Sequence, residues 1–118
     1  MRKLIAILSL FVVASAPTTT LAHAVLDHAS PLAGSTAQTA PREVSLSFTQ
    51  NLEPAFSSVV VTDTSGAEVS LGKAQISGNT MLIGLKALGP GSYEVRWHAL
   101  SVDTHTTEGA FTFHVGSR

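Results

Sequence analysis

The chain has 118 residues, 44% of them hydrophobic, no cysteine, and seven basic residues against eight acidic ones. This near-neutral balance lacks the basic footprint of a nucleic-acid binder. Without cysteine, a disulfide scaffold and thiolate sites for zinc, iron–sulfur or blue copper are excluded, so a metal would have to use histidine, carboxylate, water or the chain terminus.

The first segment reads as an export signal. Met1-Arg2-Lys3 is a short basic start, Leu4 to Ala16 is uncharged and mostly apolar, and Pro17 to Ala22 is more polar. That order is the one a secretory signal shows. An apolar run of about 13 residues is shorter than the roughly 20 a membrane-spanning helix needs. Three cuts compete: after Ala16, which would leave Pro17 next to the bond, after Ala22, and after Ala24. Signal logic alone does not separate the last two. A cut after Ala22 divides the chain into a signal peptide, 1–22, and one small mature domain, 23–118. No later apolar run is long enough to span a membrane, and a monomer is expected.

From His23 onward the chain reads as strands and turns. Ala24 to Ala29 is a weak strand candidate. Ser30 to Pro41, rich in small and polar residues, reads as a loop. Val44, Leu46 and Phe48 then alternate with Ser45 and Ser47, the signal of a half-buried strand. Ser58 to Thr62 is β-branched and ends at a turn over Asp63 to Gly66. Glu68 to Leu71 is again weak, and Met81 to Leu85 is a short apolar run. Tyr93, Val95, Trp97 and Ala99 alternate with Glu94, Arg96 and His98, and Phe111, Phe113 and Val115 alternate with Thr112 and His114. About seven short strands separated by turns predict an all-β sandwich or Greek-key barrel. Its core would come mostly from the Tyr93/Val95/Trp97 and Phe111/Phe113/Val115 faces.

The five histidines carry the chemistry. His98 and His114 fall on polar strand faces and read as solvated. His28 lies beside Asp27 and reads as surface. His105 differs, because Asp103-Thr104-His105 follows the strongest strand. On an extended segment the side-chain period of two would place Asp103 and His105 on the same side. The bland alternative is an Asp–His hydrogen bond in a turn. If the cut follows Ala22, His23 carries a free α-amine, and amine and imidazole of one residue can chelate together. An α-amine pKa near 8 makes losing that proton to a metal at neutral pH inexpensive. With Asp103 and His105 the set becomes three nitrogens and one carboxylate oxygen. A tetragonal set of this kind suits copper(II), with nickel(II) the next fit. The ligand types also admit zinc.

Taken in order, His23-Ala24, Ser30-Pro31-Leu32-Ala33-Gly34-Ser35, Leu46-Ser47-Phe48-Thr49-Gln50, Val59-Val60-Val61-Thr62-Asp63, Gly91 to Trp97, Ser101 to His105 and Gly109 to Phe113 resemble the CopC family of periplasmic copper-binding proteins. The resemblance covers nearly all of the mature chain. It implies a seven-stranded Greek-key β-barrel or sandwich of cupredoxin-like or immunoglobulin-like type. It implies one copper(II) per chain, held by the amine and imidazole of His23, the carboxylate of Asp103 and the imidazole of His105. It also favours the cut after Ala22, a periplasmic location, and handover to a CopD-type inner-membrane copper transporter.

Two departures stand out. Some members have a methionine-rich loop that binds copper(I). The mature chain here has Met81 alone, so no copper(I) methionine site is expected. Where members often have a Glu near the metal, this chain has Gln50, which can hydrogen-bond a bound water or ligand but carries no charge. The expected role is a copper carrier or buffer in resistance or uptake, not an enzyme. The competing readings are a metal-free β-sandwich interaction module and a small copper monooxygenase-like enzyme. A polysaccharide platform for the latter is hard to build with one Trp and one Tyr, both assigned to the core.

Overall fold

A computed structural model describes residues 25–117. The signal segment, the cleavage bond and His23 lie outside the described residues. Eight strands form: β1 (Leu26–Ser30), β2 (Thr36–Ala37), β3 (Glu43–Phe48), β4 (Ser58–Asp63), β5 (Ser70–Ser77), β6 (Thr80–Leu85), β7 (Gly91–Leu100) and β8 (Thr106–Val115). A 3-10 turn over Pro54–Phe56 joins β3 to β4. The strands make two four-stranded sheets, ordered β1-β3-β6-β5 and β2-β8-β7-β4. The all-β sandwich expected from the alternation is the architecture observed. Among the described residues no helix is long and apolar enough to cross a membrane.

Alternation explains the inner faces. Val44, Leu46 and Phe48 of β3 are fully buried, as are Met81 and Ile83 of β6, Val61 of β4, Val95 of β7 and Phe113 of β8. Every second residue on these strands points into the sandwich. Each large apolar side chain withdrawn from water stabilises the fold by about 1.5–3 kcal/mol, and with no disulfide that burial is the main support. Tyr93 stacks on Phe113 with ring centroids 5.5 Å apart, and its hydroxyl donates to the Gly89 carbonyl at 2.6 Å.

Eight strands stand where about seven were expected, and three further expectations are corrected. The Ser30–Pro41 segment is not wholly loop: Thr36 and Ala37 pair in parallel with His114 and Val115. A two-residue strand is too short to show a period in sequence. The strand expected over Glu68–Leu71 runs instead over Ser70–Ser77, with a register shift between Leu71 and Gln75. It is a largely exposed edge strand, so no apolar alternation marks it. Trp97 and Phe111 are only partly buried, packed against the core cluster. Trp97 pairs with Gly109 across the β7–β8 ladder, and the indole occupies the space a side chain at 109 would fill. A Cβ there would lie 2.3 Å from the ring.

The long β7–β8 pair positions the region of interest. The two strands are in register from Gly91↔Val115 to Leu100↔Thr106. The connection between them, residues 101–105, is therefore held at one end of the sandwich by ten paired residues on each side.

Candidate metal centre

The connection is a tight turn rather than extended chain. Ser101 N–H donates to the His105 carbonyl at 2.9 Å, and Thr104 N–H donates to the Ser101 carbonyl at 2.9 Å. Thr104 has φ of +74°, a left-handed conformation that is uncommon for a β-branched residue. The expected reason for Asp103 and His105 to share a side, the strand period of two, is thus corrected. The turn brings them together, which is the arrangement of the bland alternative, an Asp–His pair in a turn.

The result is a close pair. Asp103 Oδ2 lies 3.3 Å from His105 Nδ1, and the two side chains are 36% and 34% exposed. Solvent reaches them, yet neither swings freely. Asp103 Oδ1 accepts a short hydrogen bond from the hydroxyl of Ser101, which is fully buried. This bond is the main reason the Asp103 carboxyl is held below its ordinary value. Partial desolvation works the other way, and His105 adds to the lowering. The carboxylate is therefore ionised at neutral pH, as a hard cation donor must be.

These donors fit a cation. Metal–nitrogen and metal–oxygen bonds near 2 Å let one ion bridge two atoms at this separation. Two donors do not make a full site, however. Among the described residues no three His, Asp or Glu side chains gather.

The same end of the sandwich holds the start of the described chain. Val25 N–H donates to Thr49 Oγ1 at 3.0 Å, and Thr49 N–H donates back to the Val25 carbonyl at 2.9 Å. Two residues on, the Asn51 carbonyl accepts from Val102 N–H at 3.0 Å, and Leu52 bridges to Ser101. The 49–52 segment thus ties the N-terminal strand to the Asp103 turn. Gln50, half-buried, lies in the middle of that tie.

The remaining histidines have other partners. His28 Nδ1 lies 3.0 Å from Asp27 Oδ2 on the surface. His114 Nδ1 lies 2.7 Å from the Ser92 hydroxyl. His98 Nδ1 donates to the Phe56 carbonyl at 3.1 Å, and its Nε2 lies 3.6 Å from Glu108 Oε1. His98 and His114 lie half-buried on the polar strand faces where the sequence puts them, and each also has a hydrogen-bond partner. Met81, the sole methionine of the described chain, is fully buried in the core.

Sequence reasoning passed over Ser101 and the tie through Thr49 and Asn51. A small polar residue before Asp-x-His carries no signal until its burial is known.

Comparisons with known proteins bear on the family and the fold. The CopC domain family model matches residues 26–116. Copper resistance protein C of Pseudomonas syringae pv. tomato is 39% identical over 103 residues, covering 80% of this chain and 81% of that protein. The crystal structure of CopC from Methylosinus trichosporium OB3b superposes with a TM-score of 0.74 at 33% identity, over 80% of this chain and 94% of the other. The crystal structure of PcoC, described as a methionine-rich copper resistance protein from Escherichia coli, gives a TM-score of 0.69 at 34% identity, over 80% and 99%.

Proposed function

The chain belongs to the CopC family, and from that membership we propose that it is an exported, periplasmic copper(II) carrier. Copper is its cargo. The observation that carries the reading is the Asp103–His105 pair, 3.3 Å apart, at the end of the sandwich where Val25 is anchored to Thr49. In sequence His23 stands two residues before Val25, and two residues of chain span at most about 7 Å. With the cut after Ala22, its amine and imidazole would complete a set of three nitrogens and one oxygen. Such a set suits copper(II) over softer ions. It fills the plane of the ion, which favours holding the metal over reacting with it. The copper resistance name of the Pseudomonas relative supports copper as the ion. The recipient of the cargo would be a CopD-type membrane transporter.

Burial of Met81 in the core leaves no thioether of the described residues at the surface. The protein therefore differs in its methionine content from PcoC, which is described as methionine-rich, and the site proposed here is for copper(II).

The deciding experiment is the intact mass of the exported protein, with and without copper(II). The expected result is a chain starting at His23 that takes up one copper. A chain starting at Val25, or one that takes up no copper, would overturn the reading. A variant with one extra residue before His23 checks the chelate directly. It should bind copper(II) much more weakly, since the primary amine is displaced. Affinity should also fall as pH drops below about 6, because amine and imidazoles must lose protons to bind.

A further inference from the structure

We propose that Ser101 is a positioning residue, whose hydroxyl fixes the orientation in which the Asp103 carboxylate is offered to the metal. Its consequence for copper rests on the function proposed above. The side-chain ordering itself does not.

Ser101 is fully buried, directly after the last residue of β7. Its backbone is held three ways: a bridge to Leu52, the N–H bond to the His105 carbonyl, and the carbonyl bond from Thr104 N–H. A side chain with one rotatable bond on so fixed a backbone has little freedom. A hydroxyl has a single proton to donate. Asp103 Oδ1 is the nearest acceptor, while the His105 carbonyl lies at 3.2 Å. The hydroxyl oxygen in turn accepts from His105 N–H at 3.3 Å. Oδ1 also accepts from His105 N–H at 3.4 Å; together with the Ser101 bond this turns Oδ1 inward and leaves Oδ2 facing His105 Nδ1 at 3.3 Å.

The physical effect is preorganisation. A free carboxylate presents either oxygen in several rotamers and loses that freedom when it takes an ion. Here one oxygen is already committed to Ser101 and the other already stands beside its fellow donor. Groups that orient metal ligands in this way typically change affinity by about 10- to 100-fold when removed.

The test uses Ser101→Ala in the mature chain, with circular dichroism and thermal unfolding to verify the fold. In the metal-free protein, NMR couplings should show one Asp103 side-chain rotamer in the parent and averaging in Ser101→Ala. With copper(II) chloride against a competing chelator, Ser101→Ala should bind about tenfold more weakly or worse. Its copper(II) electron paramagnetic resonance spectrum should change too. In an Asp103→Ala background the same substitution should add nothing, since the effect passes through Asp103. Ser101→Thr, which keeps the hydroxyl, should retain the single rotamer. An unchanged rotamer with unchanged affinity overturns the proposal, as does an equal loss in the Asp103→Ala background. If the parent binds no copper(II), the carrier function fails, and the rotamer measurement still decides the role of Ser101.

Discussion

Two turns at opposite ends of the second sheet are both built round an aspartate. Asp63 closes β4, and Asp103 follows β7. At the first, a single oxygen, Oδ1, accepts from Ser65 N–H at 2.9 Å, Ser65 Oγ at 2.6 Å and Ala67 N–H at 3.0 Å. Gly66 takes the left-handed position at φ of +84°, where a glycine is unstrained. At the second, Ser101 takes one carboxylate oxygen and the other faces an imidazole. The left-handed position there falls to Thr104, at a cost of about 1–2 kcal/mol relative to a residue without a Cβ. Both carboxyls are held below their ordinary value, Asp63 chiefly by Ser65 and Asp103 chiefly by Ser101. The lesson is that a lowered carboxyl alone does not mark a ligand. What separates the two is a neighbouring imidazole beside the second oxygen and tolerated strain at a non-glycine residue, a combination that gathers at functional sites.

Copper binding should break the symmetry between the turns most sharply. Asp103→Ala or His105→Ala should weaken copper(II) binding by about 100-fold or more by competition titration, while Asp63→Ala leaves it unchanged. Equal binding by the Asp103→Ala protein would remove the basis for a site at this turn. Next in size is the support beneath the second turn. Gly109→Ala forces a methyl against the Trp97 ring, which is itself wedged between Phe48 and Phe111 at 6.2 Å from each. Overpacking of this kind costs about 1–3 kcal/mol, readable as a lower urea midpoint. A midpoint equal to the parent's would show that the indole moves aside freely.

The left-handed positions give smaller, opposite effects. Gly66→Ala should destabilise by about 1 kcal/mol. Thr104→Gly should stabilise by a few tenths of a kcal/mol, since relief of the Cβ clash is offset in part by the greater freedom of an unfolded glycine. The smallest effect is on the acid limb. Asp63 has a folded value below its ordinary 3.8, so its contribution to stability is complete above that value. It is lost as pH falls through the lower folded value. Asp63→Asn should therefore show a shallower loss of stability below pH 3.8 than the parent. A slope identical to the parent's would mean that the Ser65 and Ala67 bonds persist in the unfolded chain.

Much of the fold was legible because burial leaves a period of two. The runs at Val44–Phe48, Tyr93–Ala99 and Phe111–Val115 could be read directly. Thr36–Ala37 and Ser70–Ser77 could not, since one is too short and the other too exposed to alternate. The Asp103–His105 pair was legible as residue types at a spacing, but the reason given for it, extended chain, did not hold. Thr104 at positive φ is a choice the local sequence disfavours. Only the fixed ends of β7 and β8 impose it.

By itself the sequence determined the fold class, the absence of thiolate chemistry, the family resemblance and the donor types available to a cation. Those follow from composition and from periods that any strand-forming chain must show. The tertiary structure decided which donors meet. It folds Asp103 back toward His105, places the buried hydroxyl of Ser101 under one carboxylate oxygen, and ties Val25 to the same end through Thr49 and Asn51. Contacts between residues far apart in the chain depend on strand register and turn geometry, which are set by the packed sandwich as a whole.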